Sequence, residues 1–381
     1  MEAFNQSQGE IHVTFAKSPG GADNNSQLVN QTKAGNAPDV VSSGADSVAL
    51  LATSGVLTDL SDVGGDQLLT DEFPKPMESV VSFGGSTWAI PYDASPLVLF
   101  YRADLFEQYG ISVPATWDEY ATAAEKVKAA DPDSRIGFSI VGDPALYASL
   151  SWQNGAIWNS VGDEAWHINI DDAASREALQ RQQDLLDADL AWNVAPEVQQ
   201  KLQAEGKSLT ILSGPWYGAS LIKTFGDQSG DWRVAPAPSP TATPATGLYG
   251  GSGYGISSTS KHREEAMAFI KWMTTNPDAI RARLEAGLSS ALPAASSAQS
   301  AARDAFDTTF FGGQDIFTVA VEAVDTVRPG WIWGPATSAT ITSLRDATAA
   351  VQNGTSTLPS VLKDAQTATV ANLESRGIKV S

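Results

Sequence analysis

Four segments near the start of the chain constrain its fold more than anything else in it. Ile11-His12-Val13-Thr14-Phe15 alternates in polarity and predicts a strand. Residues 23–34 have helical spacing closed by Gly35, Pro38-Asp39-Val40-Val41 is a short buried strand, and Ala45 to Ser54 is helical again up to Gly55. Strand, helix, strand, helix predicts an α/β architecture with a parallel sheet.

The alternation continues. Residues 88–93 and 97–101 are extended. Thr116 and Glu119 form a capping box for a helix whose inner face is Trp117, Tyr120, Ala121, Ala124 and Val127. A strand at 136–140 and a long helix at 173–189 follow. Leu209-Thr210-Ile211-Leu212 then runs into Gly214-Pro215-Trp216-Tyr217-Gly218. Val234-Ala235-Pro236-Ala237-Pro238-Ser239-Pro240 lacks the N–H donors of a central strand and is the candidate interdomain crossing. Helices are predicted at 262–275, from Asn276-Pro277 to Gly287, at 337–351 and at 358–373. Residues 288–312 carry no clear pattern. At 381 residues the chain is long for one core, and two domains are expected.

Charge and composition exclude several functions. The net charge of −20 repels nucleic acid and anionic membranes, and no apolar run reaches the ~18–20 residues that span a bilayer. With no cysteine and three separated histidines, the usual nucleophiles, proton shuttles and metal ligands are scarce. No cofactor or metal is expected. Gly250-Gly251-Ser252-Gly253-Tyr254-Gly255-Ile256 is not a dinucleotide loop, because the third glycine position holds Ile256. Its glycines stand equally as ligand-facing amides or as a tight strand edge.

Eleven tryptophans against that background point to a binder of flat or ring-shaped molecules. Trp216, at a strand exit after Gly214-Pro215, is read as a stacking platform in preference to core. Trp331 and Trp333 alternate in an extended segment, so at most one of them is expected to face any given surface. Trp152 and Trp158 flank Gln153-Asn154-Gly155, and each stands equally as a core or a cleft residue. Trp117, Trp272 and Trp88 are expected to pack. Asp46, beyond the Val40-Val41 strand, would take ligand hydroxyls or cap a helix. Asp93, after Tyr92 at another strand exit, would line the site or shape a turn.

In order along the chain come Gly35-x-x-Pro38-Asp39-Val40-Val41, Ser54-Gly55-Val56-Leu57-Thr58-Asp59-Leu60, and Leu99-Phe100-Tyr101-Arg102-Ala103-Asp104-Leu105-Phe106 leading to Pro114-x-Thr116-Trp117-x-Glu119. Gly214-Pro215-Trp216 and Gly250-Gly251-x-Gly253 ahead of Ser260-Lys261-x-x-Glu264-x-Ala266-x-x-Phe269-Ile270 complete the series. Over nearly its whole length the chain resembles the extracellular solute-binding proteins (family 1, carbohydrate type) of ABC transporters, the class that includes maltodextrin-binding protein.

The resemblance implies a type II periplasmic-binding-protein fold: two α/β lobes with parallel-rich sheets flanked by helices, joined by hinge segments. Residues 1–95 with 240–328 would form one lobe, and 96–239 with 329–381 the other. It implies a carbohydrate clamped between them, an ABC transporter permease as partner, no catalysis, a monomer, and an extracellular setting, periplasmic or membrane-anchored. It places Asp46, Trp216, Gly251 and one of Trp331 and Trp333 at the cleft. Tyr92, Asp93, Trp152 and Asn154 complete the candidate set. A carbohydrate-active enzyme, glycosidase or lyase, and a binder of a polyol or peptide remain as alternatives. The family's leader, first strand and helix start precede the segment matching Glu2 to Gln8, which predicts a shortened, less stable first lobe. Ser42-Ser43 stand where some relatives carry an aromatic, which predicts reduced stacking there.

Overall fold

The computed structural model describes residues 1–17, 21–162, 164–287 and 289–381. Local signals in the sequence are realised closely. Thr116 Oγ1 accepts the Glu119 amide (3.2 Å) and Glu119 Oε2 accepts the Thr116 amide (3.3 Å), starting the helix Trp117–Ala130. That helix buries Trp117, Tyr120, Ala124 and Val127. Asn276 caps the helix Pro277–Glu285 through the Asp278 amide, with Pro277 at its first position, where the missing N–H costs nothing.

Two sheets organise the core. The first runs in the order Val40–Gly44, Ser252–Ile256, Ile90–Ala94, Leu292–Pro293, and the second Thr210–Ser213, Val98–Arg102, Trp232–Pro236. Every pairing in both is antiparallel, which corrects the expectation of parallel-rich sheets. Among the described residues the parallel ladder is Gly137–Phe138 with Ala191–Trp192, and it is accompanied by isolated parallel bridges. The physical reason is insertion. Val40–Gly44 and Ile90–Ala94 do not touch, because Ser252–Ile256 returns from the other end of the sequence and lies between them. Successive strand–helix units therefore set strand positions but not strand neighbours. A Cβ on Gly253 would stand 3.1 Å from the Ile90 carbonyl oxygen, and one on Gly255 would press on Leu57 and the Trp88 carbonyl. Those two glycines serve close backbone approach.

The strand expected at 11–15 is also absent. Asn5 captures both the N–H and the C=O of Val13 (2.9 Å each), and Gln8 binds both backbone groups of Ile11. The groups a ladder would use are thus taken by side chains, and Phe15 is 72% exposed. The Pro-rich stretch does supply a strand, Trp232–Pro236, but at a sheet edge where its missing donors are harmless.

Beyond that edge, three extended segments run side by side. Tyr249 and Leu97 exchange bonds with Ser95 and Gly247 (2.7 and 2.9 Å), while Thr246 bonds Thr326 and receives Arg328 (3.0 and 3.1 Å). The end of the helix Pro144–Gln153 fastens them. The Gln153 amide donates to the carbonyls of Pro238 and Ala245 and accepts from the Trp117 indole, all at 2.9 Å. Its backbone carbonyl takes Arg328 Nε at 2.7 Å, and Trp152 Nε1 donates to the Arg328 carbonyl at 2.7 Å.

Candidate functional site

Where the Thr210–Ser213 strand ends, Gly214-Pro215 turns the chain so that Trp216 precedes the helix Tyr217–Thr224. A Cβ on Gly214 would collide with the indole nitrogen, so the turn needs glycine. Trp216 is half-buried. Its N–H donates to the Tyr249 carbonyl at 3.1 Å, its ring stacks on Tyr249 (5.8 Å, 28°), and Tyr217 meets it edge-on (5.9 Å).

These three rings line a cavity of about 480 Å³ together with Asp143, Arg345 and Thr348. Asp143 caps the helix Pro144–Gln153 by accepting the Ala145 and Leu146 amides, and its other oxygen takes the Tyr249 hydroxyl at 2.5 Å. Burial, followed by the Asp143 charge and hydrogen bond, pushes the Tyr249 phenol well above the ordinary tyrosine range. Deeper in, the Tyr120 hydroxyl bonds Thr210 Oγ1 at 2.8 Å, and burial raises that phenol to about 12. Both phenols stay neutral, so the lining offers hydroxyls, amides and ring faces.

The turn Gly250-Gly251 joins this cavity to Asp46. Both glycines have positive φ (90° and 105°), a conformation that L side chains rarely adopt. A Cβ on Gly250 would lie 3.3 Å from Trp216 Nε1, while the Gly251 carbonyl accepts the Ala45 amide at 3.0 Å. Asp46 follows directly. Its side chain is exposed to solvent yet set among protein on most sides, and desolvation raises its carboxyl against the Ser47 hydroxyl bond (3.2 Å). Ser47, not Asp46, is the N-cap residue of the helix Val48–Thr53, and no side-chain capping bond forms there.

Asp93 lies under the same turn. It accepts the Ser252 amide (2.7 Å) and the Ser95 hydroxyl (3.3 Å). Desolvation raises its carboxyl, and the Arg283 charge works in the opposite direction. Asp93 thus shapes the turn. Tyr92 is held edge-on to Tyr254 (5.3 Å), with the Arg283 guanidinium 4.4 Å over its ring.

Four candidates are placed elsewhere. Trp331 is fully enclosed, stacked on Trp152 (5.1 Å, 4°), tilted against Trp158 (5.3 Å) and edge-on to Trp333 (5.3 Å). Trp152 and Trp333 are also buried. The expectation that Trp331 or Trp333 faces a cleft is corrected: both fold inward onto the end of the helix Pro144–Gln153. Asn154 is engaged by Ala174, Glu177 and Arg181. Trp117 packs as expected, and Trp88 stacks on Phe83.

Sequence reasoning missed Tyr249, Asp143, Arg345 and Thr348. Tyr249 adjoins the glycine turn, which was a usable signal. Asp143-Pro144 reads as an ordinary helix start, and Arg345 and Thr348 carry no local mark. Among the described residues no group of three or more acidic or histidine side chains is arranged to hold a metal.

A sequence profile of the bacterial extracellular solute-binding proteins matches residues 1–280. The chain belongs to this family. It is 27% identical over 256 residues to a probable ABC transporter-binding protein of Deinococcus radiodurans, which covers 64% of this chain and 60% of that protein. It is 26% identical over 250 residues to the diacetylchitobiose binding protein DasA of Streptomyces coelicolor (62% and 56%). The chain therefore spans somewhat over half the length of these curated relatives. In structure it is similar to the galacto-N-biose/lacto-N-biose I-binding protein of an ABC transporter from Bifidobacterium longum. That match has a TM-score of 0.85 and 27% identity, over 100% of this chain and 93% of that one. The two sheets and flanking helices described above are consistent with the two-lobe α/β fold of the family.

Proposed function

We propose that this protein binds a carbohydrate, an oligosaccharide, between its lobes and delivers it to the membrane permease of an ABC transporter without chemical turnover. The observation that carries the reading is the cavity at Trp216. Aromatic rings, hydroxyls and amides line it, with Asp143 and Arg345 as charged groups beside them, which suits ring faces and sugar hydroxyls. Trp216 stacks on a sugar ring, while Asp46 and the amides of the Gly250-Gly251 turn take hydroxyls. Asp93 and Tyr92 support the turn from behind. In this role the protein works as a monomer outside the cytoplasm, periplasmic or anchored to the membrane surface.

Residues 1–95 with 240–328 form one lobe, and 96–239 with 329–381 the other. Of the three adjacent segments, 95–97 and 326–328 lie at its boundaries and 246–249 follows shortly after the third, which supports this division. Closure about them brings Asp46 and Trp216 onto one ligand.

Titration calorimetry against a panel of mono-, di- and trisaccharides tests the proposal. Heat of binding with a sugar, a smaller radius of gyration on binding and no release of nitrophenol from nitrophenyl glycosides are expected. Turnover of those glycosides would establish the enzyme reading instead. Binding confined to polyols or peptides would establish the third.

A further inference from the structure

Arg345 is unlike every other arginine in the chain. Among the described residues, each of the others donates to a carboxylate or a carbonyl, whereas Arg345 has neither a hydrogen bond nor an ion pair. In a chain where 44 acids face 24 bases, an unpaired guanidinium runs against the statistics of its own surface. It also lines the cavity that holds Trp216.

A second group in the same wall points the same way. Thr348 lines the cavity too, and its hydroxyl is buried without a partner. Such an orphan is unfavourable unless something bonds it. Arg345 lies in the last turn of the helix Thr337–Asp346 and Thr348 opens the helix Thr348–Gln352, whose last residue, Gln352, lines the cavity as well. The one acid among the six cavity residues named above, Asp143, bonds neither of them; it accepts instead the Ala145 and Leu146 amides and the Tyr249 hydroxyl.

A guanidinium has five donors and no acceptor, and it matches a planar group presenting oxygen lone pairs. Building on the carbohydrate reading, we infer that Arg345 and Thr348 form a specificity subsite for an exocyclic carbonyl-type acceptor on the sugar, either an acetamido oxygen or a carboxylate. A sugar hydroxyl can accept one of these donors, whereas an acetamido oxygen or a carboxylate presents in-plane lone pairs that match the guanidinium more fully. Discrimination rests on the buried Thr348 hydroxyl, otherwise left without a partner, together with the exposed Arg345 guanidinium, which exchanges water for the acceptor.

Matched disaccharides test this by calorimetry on the full chain. Cellobiose, N,N′-diacetylchitobiose and cellobiouronic acid share one backbone, and lactose with N-acetyllactosamine provides a galactosyl pair. At least one acceptor-bearing sugar should bind tenfold or more tightly than its hydroxyl-only counterpart. Arg345→Met should remove most of that advantage while changing hydroxyl-only binding less than threefold, and Arg345→Lys should restore part of it. Preference for the acetamido sugar with weak salt dependence identifies the neutral acceptor, and strong salt dependence with the uronate identifies the carboxylate. Equal affinities across a matched set, or an equal loss for all sugars in Arg345→Met with an unchanged thermal midpoint, overturn the subsite. Failure of every sugar to bind overturns the carbohydrate reading itself.

Discussion

The two tryptophan groups, at Trp216 and at Trp331, share a sequence signature and differ in everything else. Each follows a Gly or Gly-Pro turn. At Trp216 the indole N–H is used on the Tyr249 carbonyl, one partner ring stacks on it, and the half-buried side chain borders a cavity. At Trp331 three other indoles close around the ring, nothing is exposed, and the N–H is buried without a partner. The Trp331 group packs against the three side-by-side segments through Trp152 and Gln153, so it stiffens the crossing. Glycine and proline therefore mark where the chain turns, and the neighbours decide whether the next ring meets solvent or core.

Substitutions can break this contrast. Trp331→Ala should destabilise the protein by about 3–5 kcal/mol in urea unfolding, as for large-to-small core changes, and a loss below ~1 kcal/mol would erase the distinction. Gln153→Leu strands the Pro238 and Ala245 carbonyls and the Trp117 indole, and should cost roughly 2–4 kcal/mol in the same measurement. Trp216→Ala should do the opposite of Trp331→Ala. Stability should stay nearly unchanged, while sugar affinity falls by about 2 kcal/mol, roughly 30-fold, by calorimetry.

The smallest effect concerns the turn between the two walls of the cleft. Burial raises the Asp93 carboxyl, so the folded state keeps that proton to higher pH than the unfolded chain. Stability from this group therefore falls as pH rises from the ordinary aspartate value through the folded one. Asp93→Asn keeps an acceptor for the Ser252 amide and removes the titration. Its stability relative to wild type should improve from pH 4 to pH 7, and a pH-independent difference would show that Arg283 already offsets the burial.

Part of the cavity and its surroundings was legible where the signals are short-range. Trp216 could be read from a strand, a Gly-Pro turn and the following helix, and Asp46 from the end of the Val40–Gly44 strand. Tyr249 lay one residue from a glycine pair already singled out. Arg345 and Thr348 were illegible, because a guanidinium without a partner is recognisable only when every possible partner has been located. Trp331 was misread for a related reason: alternation assigns faces within a segment and says nothing about what covers them.

The sequence by itself determined the positions of many helices and strands, the capping of Trp117–Ala130 and the ordered motifs of the family. Each depends on hydrogen bonds and periodicities within a few residues. Tertiary structure alone decided that Ser252–Ile256 enters between two earlier strands and makes the sheet antiparallel. It also decided that Tyr249 reaches Asp143 106 positions away, and that one tryptophan borders a cavity while another is sealed. These outcomes depend on which distant surfaces bury each other, and burial is a property of neighbours that no local window contains.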